Sequence, residues 1–293
     1  MEALHLNNAR RFVADVDGLG ECPVWDEVAR RLWWIDVTGK RISSCDASGN
    51  RVERRSVPDF PGSLRLRATE GMIVAYRRGI VLFDGKDQEV ASAPLAEDIV
   101  KRERFNDGAC DALGRYWVGT MDRHLRDPIG GLYRIDPDLS MHRMTEGICV
   151  SNGIAWSPDN TKLYQCDSAP IPRIWVHDFD LRAGLVSNRQ LFVEYSTDAA
   201  GGADGCAVDS EGSLWVASPR AAQVLCFDPA GRLIHELRTP MLYPSAVAFG
   251  GESLRTMFIT SMRAAEGSIA DWDGALLAVD VGVSGRIAHR FAG

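Results

Sequence analysis

One short pattern recurs six times along the 293-residue chain: a turn signal followed by a strand of mostly apolar residues. Counted from Leu32 to Met257, successive copies are 40, 44, 47, 51 and 43 residues apart. The copies are RLWWID (31–36), GMIVAY (71–76), RYWVGT (115–120), KLYQCD (162–167), SLWVAS (213–218) and TMFITS (256–261). A period of roughly 40 to 50 residues built from short strands is typical of β-propeller blades.

A second strand follows each copy and closes on an aspartate, and a further strand precedes each copy. The closing aspartates are Asp46, Asp84, Asp136, Asp178, Asp228 and Asp280. Segments between the copies, such as 51–57 and 189–195, can supply a fourth strand. This pattern predicts an all-β chain, a six-bladed β-propeller in which residues 1–293 form a single domain. A β-sandwich with coincidental spacing is the alternative, and a two-domain α/β protein is disfavoured because no stretch has sustained helical periodicity.

Composition narrows the possible partners and the compartment. The formal charge is −7, from 33 basic and 40 acidic residues, which disfavours binding to nucleic acid or to anionic membranes. Residues 1–17 hold no apolar stretch long enough for a signal peptide, and no later stretch approaches transmembrane length, so a cytoplasmic location is expected. The seven cysteines are scattered without a C-x-x-C pair and are expected to be reduced, buried apolar residues.

The first strand of each propeller blade lines a central channel, so equivalent positions at its entrance should converge on one axial point. Counting back from each repeat, these ring positions are Glu21, Ser63, Asn106, Asn152, Asp204 and Ser245. Two carboxylates brought together in a buried place need a compensating cation. The hard oxygen donors favour Ca²⁺, Mg²⁺ or Mn²⁺, although Zn or Fe can bind.

The ring therefore predicts one divalent metal ion with open coordination places, as hydrolytic chemistry requires. The dipeptides Asn152-Gly153 and Asp204-Gly205 and the tripeptide Asn106-Asp107-Gly108 are also ordinary turn sequences. Their shared register with Glu21, which belongs to no such turn, favours the functional interpretation.

Several motifs resemble the SMP-30/gluconolactonase/regucalcin family over nearly the whole chain. They are GECPVW (20–25), RFNDG (104–108) leading into GTM (119–121), SNG (151–153) with SPD (157–159), and DG (204–205) with LW (214–215). The resemblance implies a six-bladed propeller, a single divalent metal and sugar lactonase activity. It also implies that Glu21, Asn152 and Asp204 are the metal ligands and that Arg104 and Asn106 contact the substrate.

Two departures from the family pattern bear on the substrate. Ala203 stands where many relatives have proline before the Asp-Gly pair, and Ser218-Pro219-Arg220 replaces a Trp-Gly-Gly-type loop. The second departure puts the identity of the substrate in question more than the chemistry.

The expected reaction is the opening of a sugar lactone to the free sugar acid. The metal would act as a Lewis acid on the lactone carbonyl, and Asp204 would orient and deprotonate water, unless a metal-bound water alone serves as the base. Asn106, a second catalytic candidate, and Arg104 would hold the carbonyl or the ring hydroxyls. A Ser-His-Asp mechanism is disfavoured because the chain has no G-x-S-x-G elbow.

The loops that follow the second strand of each blade should surround the same site. They carry Asp36, Arg77, Asp122, Arg123, His124, Asp167, Ser168, Arg220 and Arg263. Of these, Asp122, Arg123, His124 and Arg220 are the predicted substrate contacts. Four arginines suggest an anionic sugar lactone, such as a sugar-acid or sulfonated derivative, unless they point to solvent or pair with carboxylates.

Two other functions remain open. One is a metal-dependent esterase or phosphotriesterase, which would use the same Lewis acid on a different electrophile. The other is a propeller that binds calcium or protein without catalysis, which would require full coordination of the metal by the protein.

Overall fold

The computed structural model describes residues 2–4, 9–196, 201–263 and 271–293. These residues form 25 strands and one short helix, α1 (Glu97–Val100). In chain order the strands are β1 (Glu2–Leu4), β2 (Arg10–Arg11), β3 (Gly20–Asp26), β4 (Arg31–Asp36), β5 (Arg41–Asp46), β6 (Glu53–Ser56), β7 (Pro61–Leu66), β8 (Met72–Tyr76), β9 (Gly79–Phe83), β10 (Glu89–Pro94), β11 (Glu103–Cys110), β12 (Tyr116–Asp122), β13 (Leu132–Ile135), β14 (Met141–Arg143), β15 (Ser151–Trp156), β16 (Lys162–Asp167), β17 (Arg173–Asp180), β18 (Leu185–Glu194), β19 (Cys206–Val208), β20 (Leu214–Ser218), β21 (Gln223–Phe227), β22 (Leu233–Arg238), β23 (Pro244–Gly250), β24 (Thr256–Ser261) and β25 (Leu277–Asp280).

The strands form six sheets, and each sheet holds one copy of the sequence repeat. Blades 1 to 4 are the antiparallel sheets β3–β6, β7–β10, β11–β14 and β15–β18. Blade 5 is β19–β22 with β1 added in parallel beside β22, and blade 6 is β23–β25 with β2 as its fourth strand. The chain is thus a six-bladed β-propeller, and the predicted fold class is confirmed.

The chain divides into two compact units. One contains blades 5, 6 and 1, within Met1–Pro58 and Tyr195–Ile287, and the other contains blades 2, 3 and 4, within Asp59–Glu194 and Ala288–Gly293. The expectation that residues 1–293 form a single domain stays a prediction. Among the described residues there is no helix with the length and apolar character needed to cross a membrane.

Aromatic side chains fill the space between blades in the unit of blades 2 to 4. Trp117 of blade 3 meets Trp156 and Phe179 of blade 4 at centroid distances of 6.4 and 5.5 Å. Between blades 2 and 3, one cluster joins Ile73 of blade 2 to Phe105 and Tyr133, two blade 3 residues whose rings meet edge-on. Such aromatic pairs add about 0.5–1.5 kcal/mol to the burial of their surface, so they hold neighbouring blades in register.

The unit of blades 5, 6 and 1 is packed in the same way. Trp25 of blade 1 stacks on Phe258 of blade 6, which also contacts Phe12 ahead of the first blade. Trp215 of blade 5 packs against Phe249 of blade 6. Within this unit, blade 6 therefore buries apolar surface against blade 5 and against blade 1.

In blades 3 and 5 an aspartate in the turn between the first and second strands is bonded to a tryptophan of the second strand. In blade 3 Asp111 accepts hydrogen bonds from Trp117 Nε1 at 2.9 Å and from Arg115 Nε at 2.6 Å. In blade 5 Asp209 accepts the equivalent bond from Trp215 Nε1 at 2.8 Å. The sequence DxxGxxW, seen twice, therefore couples each turn to the aromatic core.

The fourth strands and the cysteines agree with the expectations from the sequence, whereas the shortest elements were not expected. The segments 51–57 and 189–195 contribute to the fourth strands β6 and β18, as predicted. All seven cysteines are free thiols, and six of them are buried while Cys206 is half-buried. The helix α1 and the strand β1 were not predicted, because a four-residue helix and a three-residue strand leave no periodic signal.

Candidate active site

The ring positions predicted from the sequence coincide with irregularities in strand pairing. In five blades the register between the first and second strands shifts at or beside the ring residue. The shifts lie between Glu21 and Val24, Pro61 and Ser63, Phe105 and Gly108, Asn152 and Ile154, and Pro244 and Ala246. A bulge re-aims side chains at the end of a strand, so the ring residues can face one direction although they lie 9 to 12 positions before the repeat positions Leu32 to Met257.

Three ring positions lie on the adjacent first strands of blades 2, 3 and 4. The hydroxyl of Ser63 donates to the backbone oxygen of Asn106 at 2.8 Å, and Asn106 Nδ2 donates to the backbone oxygen of Ser151 at 3.0 Å. Gly62 allows this close approach, because a Cβ there would lie 2.7 Å from the Asn106 oxygen. The structure therefore brings Ser63, Asn106 and Asn152 together in this unit.

A directional series of hydrogen bonds, here named the amide chain, links Arg104, Asn106, Asn152 and Ser168. Arg104 Nη1 donates to Asn106 Oδ1 at 2.9 Å, and Asn106 Nδ2 donates to Asn152 Oδ1 at 2.5 Å. Asn152 Nδ2 then donates to the hydroxyl oxygen of Ser168 at 2.8 Å. Arg104 and Asn106 are half-buried and Asn152 is 9% exposed, so the carboxamides are held at the edge of the solvent.

A buried pair of polar residues, Ser151 and Gln165, lies next to the amide chain, because the Ser151 backbone oxygen accepts from Asn106. Gln165 Nε2 donates to the Ser151 hydroxyl at 2.7 Å, and both residues are fully buried. Gly119 makes room for this hydroxyl, because a Cβ there would lie 2.0 Å from Ser151 Oγ. Sequence reasoning missed this support. The Ser-Asn-Gly motif marks Ser151, but nothing in the sequence pairs it with Gln165.

The other three ring positions lie in the unit of blades 5, 6 and 1. The hydroxyl of Ser245 donates to the backbone oxygen of Gly20 at 2.5 Å, and the Gly205 amide donates to the backbone oxygen of Ser245 at 2.8 Å. The Asp204 amide donates to the Ala217 oxygen at 3.0 Å. Glu21 is half-buried near the start of β3, and Asp204 is half-buried two residues before β19.

The predicted substrate-contact residues of blade 3 lie on the loop after β12. Asp122 is buried and accepts backbone hydrogen bonds from Asp127, Arg126 and His124, which lower the pKa of its carboxyl to about 2. Arg123 and His124 are exposed. Direct contact of these residues with substrate stays a prediction, and for Asp122 the geometry favours a role in holding the loop.

Two further loop carboxylates fold the loops that carry them. Asp36 accepts backbone hydrogen bonds from Gly18, Leu19 and Gly39 and pairs with Arg41 at 2.5 Å. Burial raises the pKa of Asp36, but these hydrogen bonds outweigh it and the net shift is downward.

In blade 4, Asp167 accepts hydrogen bonds from the amides of Cys149 and Val150 at 3.2 and 2.9 Å. Burial raises the pKa of this carboxyl. Asp167 thereby fixes the Cys149–Val150 backbone, to which Ser168 is bonded in turn, since the Ser168 amide donates to the Val150 oxygen at 3.0 Å.

The four loop arginines differ in their surroundings. Arg77 faces Asp59 at 3.8 Å, and Arg123 Nη1 lies 3.4 Å from the backbone oxygen of Lys101. Arg220 is exposed, its amide donates to the Leu242 oxygen, and it forms no ion pair within the described part of the chain. Arg263 is also exposed. Arg220 and Arg263 are thus both exposed cations in the unit that carries Asp204.

The predicted ligand residues suit a hard divalent cation by their chemistry. Glu21 and Asp204 offer carboxylate oxygens and Asn152 offers a carboxamide oxygen, the donors that Ca²⁺ and similar ions take. Asn152 Oδ1 accepts one hydrogen bond from Asn106, which leaves its second lone pair for an ion. Within the described ranges no group of three or more His, Cys, Asp and Glu side chains is placed to hold a metal. The predicted set has two carboxylates and one amide and is not such a group.

Known proteins resemble the chain along most of its length. It is 38% identical over 282 residues to the 6-deoxy-6-sulfogluconolactonase of Pseudomonas putida, covering 94% of this chain and 95% of that one. It is 31% identical to regucalcin of Xenopus laevis, covering 96% and 97%. The crystal structure of a calcium-binding protein, regucalcin from Agrobacterium tumefaciens, superposes with a TM-score of 0.88 at 26% identity, covering 94% and 95%.

The family model described as "SMP-30/Gluconolactonase/LRE-like region" matches residues 19–263. This range begins just before Glu21 and includes every candidate site residue of both units. The chain therefore belongs to the SMP-30/gluconolactonase/LRE-like family.

Proposed function

We propose that this protein is a sugar lactonase, which hydrolyses a sugar lactone to the free sugar acid. The observation that carries the proposal is the 38% identity to a 6-deoxy-6-sulfogluconolactonase along almost the full length of both chains. The oxygen-rich ends of the first strands support it, because carboxylates and carboxamides are suited to polarising and hydrating a carbonyl group. In bond terms, a water oxygen joins the carbonyl carbon, the ring C–O bond breaks, and the ring oxygen leaves as a hydroxyl group.

One divalent ion, Ca, Mn, Mg, Zn or Fe, is part of the proposal, with Glu21, Asn152 and Asp204 as its ligands. When bound, it would supply Lewis-acid polarisation of the lactone carbonyl. The support for this ligand set is its register on the first strands, its hard oxygen donors and the similarity to a calcium-binding regucalcin.

The side chains of the protein itself have separate roles in this proposal. Asp204 takes the proton from the attacking water and returns it to the ring oxygen as that oxygen leaves. Arg104 and Asn106 hold the carbonyl or the ring hydroxyls at the half-buried end of β11. Arg104 offers guanidinium N–H donors, and Asn106 Oδ1, which accepts one hydrogen bond from Arg104, offers its second lone pair to a ring hydroxyl.

We further propose that the lactone carries an anionic group, as the name of the Pseudomonas putida relative indicates for that protein. Arg220 would bind this group, with Arg123 and His124 as further contacts. Exposed guanidinium groups recognise sulfonate and carboxylate oxygens through charge-assisted hydrogen bonds.

Calcium binding without catalysis is the second candidate function, favoured by the calcium-binding regucalcin structure. An esterase or phosphotriesterase activity would use the same groups on another substrate, and a substrate panel separates these possibilities. The absence of nucleic acid and membrane partners and the cytoplasmic location also stay predictions.

The test is an assay of metal-stripped protein on neutral and sulfonated aldonolactones, with spontaneous hydrolysis subtracted. Ca²⁺, Mn²⁺, Mg²⁺, Zn²⁺ or Fe²⁺ is added back singly, and we expect at least one of them to restore activity. Asp204→Ala should remain inactive with every ion, whereas Asp138→Ala, which removes an exposed turn carboxylate, should behave as the parent does. No activity on any lactone with any of the ions would refute the lactonase proposal. Full activity of the stripped protein would refute the metal requirement, and full activity of Asp204→Ala would refute its role as base.

A further inference from the structure

The amide chain has a fixed direction, and that direction begins at Arg104. A guanidinium group can only donate hydrogen bonds, so the atom of Asn106 that faces Arg104 Nη1 at 2.9 Å must be its oxygen. The nitrogen of Asn106 then faces Asn152 at 2.5 Å and the Ser151 backbone oxygen at 3.0 Å. Each step leaves only one productive orientation for the next amide.

Asn152 lies between a donor on one side and a hydroxyl group on the other. Its Oδ1 accepts from Asn106, and its Nδ2 donates to Ser168 Oγ at 2.8 Å. If the amide rotated by 180°, its nitrogen would face the nitrogen of Asn106, and two donors would oppose each other. Asn106 therefore sets which end of the amide faces it, and Ser168 Oγ, by accepting from Nδ2, holds the opposite end so that the amide does not turn away from Asn106.

The position of Ser168 is itself well fixed. Its amide donates to the Val150 oxygen at 3.0 Å, and the preceding residue, Asp167, is 5% exposed and accepts from the amides of Cys149 and Val150. Ser168 is half-buried. A hydroxyl group anchored in this way can orient a neighbouring amide without moving when the neighbour binds a ligand.

We propose that Ser168 is a positioning residue that orients the carboxamide of Asn152 so that its oxygen is presented to the divalent cation. This inference rests on the proposed function, because it takes Asn152 as a ligand. Loss of an outer partner of a metal ligand typically weakens metal affinity by about 10- to 100-fold. For one neutral hydrogen bond the lower end of that range is expected.

The experiment measures Mn²⁺ affinity rather than activity. Metal-stripped parent, Ser168→Ala and Ser168→Thr are titrated with Mn²⁺, and free Mn²⁺ is followed by electron paramagnetic resonance. We expect about 10-fold weaker binding for Ser168→Ala and a value within about twofold of the parent for Ser168→Thr, which keeps the hydroxyl. The matched control is Ser187→Ala, which removes an exposed hydroxyl from β18 of the same blade and should bind as the parent does.

Testing Ser168→Ala in the Asn152→Asp variant shows whether Ser168 acts by orienting the side chain of residue 152 or by supporting the structure of the site in general. In Asn152→Asp the ligand is a carboxylate, whose two oxygens are equivalent, so its orientation no longer matters. Adding Ser168→Ala to Asn152→Asp should therefore change the Mn²⁺ affinity by no more than about twofold, as a double-mutant cycle measures. A 10-fold loss in both backgrounds would mean a structural role and would overturn the inference.

Thermal unfolding of each metal-stripped variant shows whether it is folded. If Ser168→Ala aggregates, Ser168→Cys replaces it, because a cysteine side chain is similar in size to serine but is a weaker hydrogen-bond acceptor. If Ser168→Ala and Ser168→Cys both bound Mn²⁺ as tightly as the parent does, the proposed role of Ser168 would be refuted and the lactonase proposal would stand. A parent protein that bound no Mn²⁺ and opened no lactone would refute the proposed function and this inference with it.

Discussion

Asn106 Nδ2 lies 2.5 Å from Asn152 Oδ1, so that the first strands of blades 3 and 4 are joined by a bond between two side-chain amides. In this arrangement Asn106 serves two functions: it accepts from Arg104 and it donates to Asn152.

Asn106→Ala removes both of these hydrogen bonds while leaving the backbone of β11 in place. We expect kcat/KM for the lactone to fall by about 10- to 100-fold, because Arg104 and Asn152 both lose the partner that orients them. Steady-state kinetics check this. Asn50→Ala, at an exposed turn, is the control, and equal kcat/KM for Asn106→Ala and parent would contradict the catalytic role.

Arg220→Ala tests the anionic substrate. Because a charge-assisted hydrogen bond would be lost only for the charged substrate, we expect kcat/KM to fall about 10-fold on a sulfonated lactone and by less than about twofold on a neutral one. Arg238→Ala, another exposed arginine of blade 5 that pairs with Glu236, should leave both values unchanged. Equal losses on the two lactones would mean that Arg220 does not recognise the charge.

Asp111 and Asp209 occupy equivalent turns in blades 3 and 5, but their alanine variants should lose different amounts of unfolding free energy. Asp111 holds Arg115 in a buried ion pair as well as Trp117, so Asp111→Ala should lower the free energy of unfolding by about 3–5 kcal/mol. Asp209 holds Trp215 and backbone amides, and Asp209→Ala should cost about 2–3 kcal/mol. Urea unfolding of the two variants at one pH measures the difference, and a larger cost at Asp209 would contradict the argument.

His177 predicts how stability depends on pH. The residue is 1% exposed, and burial, with a smaller effect of Arg189, lowers its pKa from 6.5 to about 4. Below pH 6.5 the unfolded chain takes up a proton at this residue that the folded chain rejects, so stability falls as the pH drops from 6.5 towards 4. Between pH 6.5 and 5 this amounts to about 2 kcal/mol.

His177→Leu should remove that contribution. Urea unfolding at pH 7.5 and pH 5 should show a decrease in unfolding free energy about 2 kcal/mol smaller in the variant than in the parent. The same comparison between pH 7.5 and 8.5 should show no difference, because His177 is neutral in both states there. If the unfolding free energy fell equally in His177→Leu and in the parent between pH 7.5 and pH 5, His177 would not be the cause of the acid destabilisation.

The fold could be predicted because the same pattern of short strands occurs six times at similar spacing, once for each blade. The first strand of blade 3 precedes its copy of the repeat as the others do, although the bulge between Phe105 and Gly108 interrupts its alternation. The short elements escaped prediction. β2 has two residues, and its place in blade 6 depends on β25, more than 260 residues away in the chain.

The site could be predicted only in part, for a physical reason. Asn106 and Asn152 are marked by their register, but the direction in which an amide points depends on its neighbours. Ser168 was recognised as a loop residue near the site, yet its bond to Asn152 spans 16 positions and follows from the bend after β16. The catalytic and metal-binding roles of Glu21, Asn152 and Asp204 stay predictions.

Because β2 supplies the fourth strand of blade 6, the segment around Arg10 and Arg11 covers the hydrogen-bonding groups along one side of β25. A shortened protein that began after Arg11 would leave those groups uncovered. An uncovered strand edge readily pairs with another chain, so such a protein should self-associate even if its lactone-opening residues were untouched.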